Sequence, residues 1–142
     1  MRAAVERAGL VSRVEFLPRV SYEASLTVLS GASVLLLLQA SRDTLDLVPA
    51  KLFEYLRTGR PVLTIVPDGA TAEVLRETGG GWVVDPADSS GLRNVIVKAY
   101  QAWTRGSLDS LTANPVALAR FSRERLTGEL ATQFDALLGT PH

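Results

Sequence analysis

The sequence predicts an α/β fold in which a parallel, Rossmann-like sheet of about four strands is flanked by helices. Strand and helix patterns alternate along the chain, an order typical of right-handed crossovers between parallel strands. Residues 34–38 are apolar without alternation, as expected of a strand covered on both faces. Residues 48–62 combine a short helix, opened by Pro49 and ended by Gly59, with the start of another apolar strand.

The first half of the chain contains two helix patterns and two strand patterns. Residues 1–8 have helical spacing, and residues 14–17 form a short apolar run that predicts a strand. Ser21 is suited to cap a helix that Gly31 ends. After the strand at 34–38, the polar and irregular residues 39–48 predict a loop at its carboxyl end.

The second half continues the alternation. Strands are predicted at residues 62–66 and 82–84, separated by a helical segment that three consecutive glycines end. Residues 85–88 cap a longer amphipathic helix, and both tryptophans, Trp82 and Trp103, are interpreted as core residues. The apolar positions of the last predicted helix are Leu126, Leu130, Phe134, Leu137 and Leu138.

Length and composition predict a single globular domain over residues 1–142. Lysine and arginine number 15, and so do aspartate and glutamate, so the chain lacks the basic surplus that nucleic-acid binding requires. The sequence has no cysteine and its single histidine is His142, which argues against histidine-dependent nucleophilic catalysis and against a zinc site. A cytoplasmic location is expected, because the chain has no cysteine and its N-terminus lacks the apolar segment of a secretory signal. No apolar run approaches the roughly twenty residues of a membrane span.

Glu54, in the helix opened by Pro49, is the principal candidate for ligand binding. In open α/β sheets, phosphate-bearing ligands bind where a helix starts beyond the carboxyl end of a strand. Amide groups near residues 48–51 would point at an anion, and Lys51 could add a full positive charge. Glu54, one turn deeper, could accept hydrogen bonds from a diol such as a ribose.

Each of these residues also has a purely structural interpretation. Lys51 and Arg57 lie three residues to either side of Glu54, and such pairs are common on solvated helix faces. Asp46 could be a loop or capping carboxylate. Spacing alone favours these structural interpretations.

Several segments, in this order and spacing, resemble the C-terminal half of a GT-B glycosyltransferase of the large retaining group 1 family. The similarity covers nearly the whole chain, and it favours a functional role for Glu54. The matching segments are residues 14–19 (VEFLPR), 34–38, 49–62 (PAKLFEYLRTGRPV), 68–74 (DGATAEV), 79–88 (GGGWVVDPAD) and 119–122 (ARFS).

The resemblance implies roles for particular residues. In that family, two acidic residues separated by seven others contact the donor nucleotide-sugar; the second holds the ribose hydroxyls and corresponds to Glu54. The first, which approaches the transferred sugar, corresponds to Asp46, shorter by one methylene than the usual glutamate. Leu47 and Val48 replace part of the family's glycine-rich loop, and backbone amides there and at Lys51 would contact the diphosphate or the sugar. A further residue, Arg19, lies where the family's loop approaches the base.

The resemblance also implies a function. The expected activity is metal-independent transfer of a hexosyl group from a nucleotide-diphosphate sugar to a saccharide or lipid acceptor, with no cofactor, in polysaccharide synthesis. A sugar-nucleotide epimerase of GT-B fold, or a catalytically silent α/β module for binding or assembly, are the alternatives.

The resemblance further implies that this chain corresponds to a truncated GT-B domain. The family's N-terminal acceptor domain and two central strands have no counterpart in this sequence, so the isolated chain is expected to be inactive. With those strands absent, a bare sheet edge would favour pairing with another molecule, including a second copy. Peripheral membrane association is expected of the full-length enzyme.

Overall fold

The computed structural model describes residues 1–39 and 41–139, with the backbone alone considered at Arg42. Seven α-helices and three β-strands are present in these residues. The helices are α1 (Arg2–Arg7), α2 (Tyr22–Gly31), α3 (Ala50–Arg57), α4 (Ala70–Thr78), α5 (Ser89–Thr104), α6 (Pro115–Ala119) and α7 (Arg123–Leu138). The strands are β1 (Leu35–Leu38), β2 (Val62–Ile65) and β3 (Gly81–Val84). Short 3₁₀ turns occupy Val11–Arg13, Arg42–Thr44 and Leu108–Leu111.

The three strands form one parallel sheet in the order β1-β2-β3. This arrangement confirms the α/β class and the parallel sheet, but the described sheet has three strands instead of the predicted four. Residues 14–17 are the wrong prediction, because the segment has no neighbouring strand with which to form a hydrogen-bonded ladder. It instead packs beside α1, where the guanidinium of Arg2 lies 4.4 Å from the ring centroid of Phe16.

One face of the sheet, the first face, carries the hydrophobic core. Leu35 and Leu37 of β1 and Val62 of β2 point towards α3 and α4 on this face. The buried helix residues that complete the cluster are Leu52, Leu56, Val74 and Leu75. α3 and α4, the two crossover helices, cover this face. Because the strands are parallel, the loop that follows each strand and leads into its helix lies at the carboxyl end of the sheet.

The proline and glycines predicted to bound these elements lie at the ends of α3 and at the start of β3. Pro49 is the N-cap of α3, and Gly59 follows its end with a φ of 68°, which glycine adopts without strain. Gly81, at the start of β3, is needed for its conformation and for its close contact with β2. Its φ is 134°, and a Cβ there would lie 2.1 Å from the carbonyl oxygen of Val62. The glycine run before β3 is therefore a structural turn that lets β3 approach β2.

Both long helices in the second half are more exposed than their apolar patterns predict. α5 and α7 contain no fully buried residue. Trp82 is half-buried, but the side chain of Trp103 is 55% exposed, so its assignment to the core is wrong. The amphipathic pattern identified the helix correctly, but its apolar side is only partly covered by the other described residues.

Replacing Leu52 by alanine is expected to lower the free energy of unfolding by about 2–5 kcal/mol. Leu52 is fully buried, so its truncation removes buried apolar surface and leaves a cavity. Chemical denaturation followed by circular dichroism measures this change in the free energy of unfolding. Val116→Ala is the matched control, since Val116 is 79% exposed and its truncation should change stability by less than about 0.5 kcal/mol. Equal losses in the two variants would contradict this description of the core.

Replacing Thr64 by valine is expected to raise stability by about 1 kcal/mol, because valine has nearly the same shape without the hydroxyl. Thr64 lies in β2 with no exposed surface, and its Oγ1 has no hydrogen-bond partner among the described residues. The same denaturation experiment checks the sign. A lower free energy of unfolding would show that the hydroxyl is hydrogen-bonded in solution.

Candidate functional site

The loop between β1 and α3 is held in place by a small hydrogen-bond network. The side-chain amide of Gln39 donates to the carbonyl oxygens of Thr44, at 2.9 Å, and Leu47, at 3.1 Å. The hydroxyl of Thr71, at the start of α4, lies 2.8 Å from both Oε1 of Gln39 and the carbonyl oxygen of Leu47. The end of β1, the loop and α4 are therefore joined at one point, which fixes the backbone around residues 44–48.

A backbone contact at the same helix start adds to this anchoring. The N–H of Ala70 donates to the carbonyl oxygen of Leu45 at 2.8 Å. Gly69 makes this approach sterically possible, since a Cβ there would lie 2.6 Å from that oxygen. The loop thus rests against backbone that has no side chain to displace it.

α3 presents Glu54 between two clefts. Its buried side carries Leu52 and Leu56, which leaves Glu54 half-buried on the flank towards α2. The first cleft, of about 270 Å³, is lined by Leu17, Val20, Ser25, Val28, Leu29, Lys51, Glu54 and Tyr55. The second cleft, of about 380 Å³, is lined by Tyr22, Ala50, Phe53, Glu54, Arg57, Phe121, Arg123 and Leu126. Glu54 is the residue that the two clefts share.

The two clefts differ in character. The first is mostly apolar, with Lys51 and Glu54 as its charged groups. The second has an aromatic floor, where the ring centroids of Phe53 and Phe121 lie 5.6 Å apart, and an arginine from each of two helices on its rim. A flat heterocyclic group therefore finds apolar contacts in either cleft, within reach of the same carboxylate.

The carboxylate of Glu54 is not engaged by its neighbours on α3. In the part of the chain that the structure describes, the ion pairs are Arg76 with Asp68, Arg120 with Glu77 and Arg125 with Glu129. Glu54 therefore forms no ion pair there with Lys51 or Arg57, although the spacing allows both. Among the described residues, neither neighbour holds the carboxylate of Glu54, so its oxygens are available to a ligand.

Of the other residues predicted for the site, one lines a cleft with Glu54 and four do not. Lys51 is exposed and lines the first cleft with Glu54. Asp46 and Leu47 are exposed in the anchored loop, whereas Val48 is half-buried against the core. Arg19 is exposed next to Val20, which lines the first cleft. The structure thus brings Lys51 and Glu54 together, and the roles of the others stay predictions.

Sequence reasoning missed several residues of this region. Tyr55 and Ser25 line the first cleft, and Phe121 lies under the second. Tyr55 follows Lys51 by four residues on α3, so helical spacing could have found it. No local signal connects Gln39 with Thr71, because the contact spans 32 residues of sequence.

One ionisable group near this region has a clearly shifted pKa. The pKa of Glu23, at the start of α2, is lowered by hydrogen bonding to the backbone at Glu23 and then by the hydroxyl of Ser21. Ser21 also caps α2 by accepting the N–H of Ala24 at 3.2 Å. The charged form of Glu23 therefore supports the start of the helix that borders both clefts.

Two further observations bear on what the chain can bind. Within residues 1–39 and 41–139, no group of three or more histidine, cysteine or acidic residues is arranged to hold a metal ion. None of the helices in the same residues has both the length and the apolar character needed to cross a bilayer.

Comparison with known proteins finds a similar fold but identifies no family. No protein-family model and no curated protein matches the chain. The fold is similar to that of Anabaena Alr3699/HepE, solved in complex with UDP-glucose, with a TM-score of 0.71 and 19% sequence identity. The match covers 95% of this chain but 35% of the HepE chain, so this chain spans about a third of that protein's length.

Replacing Thr71 by valine is expected to release the loop, because it removes the hydroxyl that joins Gln39 to the carbonyl of Leu47. The buried polar groups left behind should cost about 1–3 kcal/mol of stability. Hydrogen exchange should accelerate at residues 44–48 in particular. Thr104→Val is the control, since its exposed hydroxyl donates only within α5; equal acceleration in both variants would contradict the anchoring role.

Proposed function

We propose that this chain is the donor-binding part of a glycosyltransferase that takes a hexosyl group from a nucleotide-diphosphate sugar. The observation that carries this proposal is Glu54: a half-buried carboxylate that forms no ion pair within the described part of the chain, shared by two clefts, on a crossover helix of a parallel sheet. The likeness to HepE, whose structure contains UDP-glucose, supports the same class of ligand.

In this proposal Glu54 binds the ribose of the nucleotide. A carboxylate has two oxygens, and each can accept a hydrogen bond from one of the two vicinal ribose hydroxyls. Bonds to an ionised acceptor are stronger than neutral ones and are worth about 1.5–3 kcal/mol each. The apolar first cleft, with Leu17, Val20 and Val28, would then receive the base, next to Arg19.

The diphosphate would lie at the start of α3. The N–H groups of Ala50 and Lys51 belong to the first turn of this helix, where the backbone has no intrahelical acceptors. These groups and the helix dipole favour an anion, and the ammonium group of Lys51 adds a full charge. This electrostatic stabilisation of the leaving diphosphate is what the chain would contribute to transfer.

Asp46 and the loop around it would face the sugar. The loop is anchored to β1 and α4. The N–H of Leu47 donates to the carbonyl oxygen of Thr44 at 3.1 Å, so the amide of Val48 is the one we propose for contact with the donor. We propose that Asp46, which is exposed there, approaches the transferred hexose. The acceptor, a saccharide or a lipid, would be bound by a second domain of GT-B type, and the complete enzyme would make a polysaccharide without a metal ion.

The test compares UDP-glucose, UDP and 2′-deoxy-UDP by isothermal titration calorimetry. The wild-type chain should bind UDP more tightly than 2′-deoxy-UDP, by about 10-fold or more, because the deoxy compound removes one of the two hydroxyls. Glu54→Gln should weaken UDP binding and should largely abolish this difference. Glu73→Gln, an exposed carboxylate in the first turn of α4, is the matched control and should behave as wild type.

The outcomes separate the alternatives. An equal loss of both nucleotides in Glu54→Gln would contradict the ribose contact. No binding of UDP or GDP at any concentration would overturn the proposal and favour a silent α/β module. The third outcome concerns the complete enzyme that contains this chain. If it interconverts UDP-sugar epimers and transfers no sugar to an acceptor, an epimerase is favoured.

A further inference from the structure

The second cleft is left open by the donor-binding mode proposed above. In that mode the ribose contacts Glu54, the base enters the first cleft, and the diphosphate lies at the start of α3. α3 contributes Phe53 and Arg57 to the second cleft, whereas its opposite flank contributes Lys51 and Tyr55 to the first. With a volume of about 380 Å³, the second cleft is large enough for a small molecule of its own.

The floor of the second cleft is fixed to the rest of the fold. Phe53 and Phe121, whose ring centroids are 5.6 Å apart, are half-buried and pack against the hydrophobic core. The chain just before α7 is tied to α4, because Arg120 forms an ion pair with Glu77. The side chain of Ser122 then caps α7. These contacts hold the aromatic floor and the start of α7 in place beside α3.

Two arginines on the rim of the second cleft are available to an anion. Arg57, in the last turn of α3, and Arg123, in the first turn of α7, both line the cleft and are exposed. Within residues 1–39 and 41–139, neither forms an ion pair. A guanidinium group presents planar donors that can bind two phosphate oxygens at once. A phosphate monoester carries a charge of about −1.5 to −2 at neutral pH, so it can pair with both arginines, which a single carboxylate cannot.

The carboxylate and the rings of the second cleft suit the body of a sugar. Glu54 accepts hydrogen bonds and, when ionised, donates none, so it selects a ligand with hydroxyl groups. It lies three residues before Arg57 on α3, which places their Cβ atoms about 5–6 Å apart. The floor offers flat apolar contacts to the C–H face of a sugar ring. A hexose that carries a phosphate group would therefore contact the floor, the carboxylate and the arginines together.

We propose that the second cleft binds a phosphorylated sugar. Its phosphate group is bound by Arg57 and Arg123. Its ring rests on Phe53 and Phe121, and its hydroxyls donate to Glu54. The proposed nucleotide-sugar donor uses the same carboxylate from the first cleft, so the two ligands compete. The sugar phosphate site goes beyond the proposed function and does not rest on it; the competition alone does.

The test measures the binding of glucose 6-phosphate by isothermal titration calorimetry. The wild-type chain should bind it about 10-fold or more tightly than glucose or inorganic phosphate, because each of these lacks one part of the contacts. Arg57→Gln and Arg123→Gln change exposed side chains and should each weaken this binding by about 10-fold, with UDP binding unchanged. Arg93→Gln is the matched control, since Arg93 is exposed on α5 and lines a different groove; this variant should bind as wild type.

Two further measurements separate this site from the proposed donor site. Lys51 lines the first cleft and not the second, so Lys51→Gln should weaken UDP binding and leave glucose 6-phosphate binding unchanged. Glu54→Gln should weaken the binding of both ligands. A chain that binds glucose 6-phosphate but neither UDP nor GDP would support the sugar phosphate site and contradict the donor role.

Three results would overturn the sugar phosphate site. Inorganic phosphate that binds as tightly as glucose 6-phosphate would indicate contact with an anion alone. Unchanged glucose 6-phosphate binding in the double variant Arg57→Gln, Arg123→Gln would show that the ligand lies elsewhere. If UDP and glucose 6-phosphate bind the wild-type chain at the same time, with neither raising the apparent Kd of the other, they do not share Glu54.

Discussion

The packing of α3 on the sheet is the contact on which the remaining structure depends. Leu52 and Leu56 lie on one side of this short helix and are buried against β1 and β2. Because successive residues of a helix are 100° apart, burying that side determines where every other side chain of α3 points. The carboxylate of Glu54 is thereby held at the shared border of two clefts, and no separate contact is needed to aim it.

The parts of the fold that the sequence predicts correctly depend on local signals. The four-leucine strand, Pro49 and Gly59 each act over a few residues, so β1, α3 and β2 appear within a residue or two of their predicted bounds. Glu54 is found by the same kind of signal, combined with the general rule for ligand sites in parallel sheets. Its role in binding is a hypothesis that the structure makes possible by leaving the carboxylate unpaired.

The parts that the sequence does not predict depend on distant residues. Residues 14–17 have the composition of a strand, yet a strand exists only where another one lies beside it. Trp103 follows an amphipathic pattern, but burial also needs a partner surface, and α5 covers only part of the sheet. The loop near Asp46 is positioned through Gln39 and Thr71, whose residue types have no meaning until the fold brings them together.

The geometry at Gln39 restricts which residue can occupy that position. Its side chain donates to two carbonyl groups and accepts from one hydroxyl, so it must offer a donor and an acceptor on one planar group. Glutamate would turn an oxygen towards the carbonyls, and methionine would satisfy neither partner. Glutamine directly after β1, with threonine 32 residues later, is accordingly a sequence pattern by which distant chains with the same loop could be recognised where overall identity is too low to reveal them.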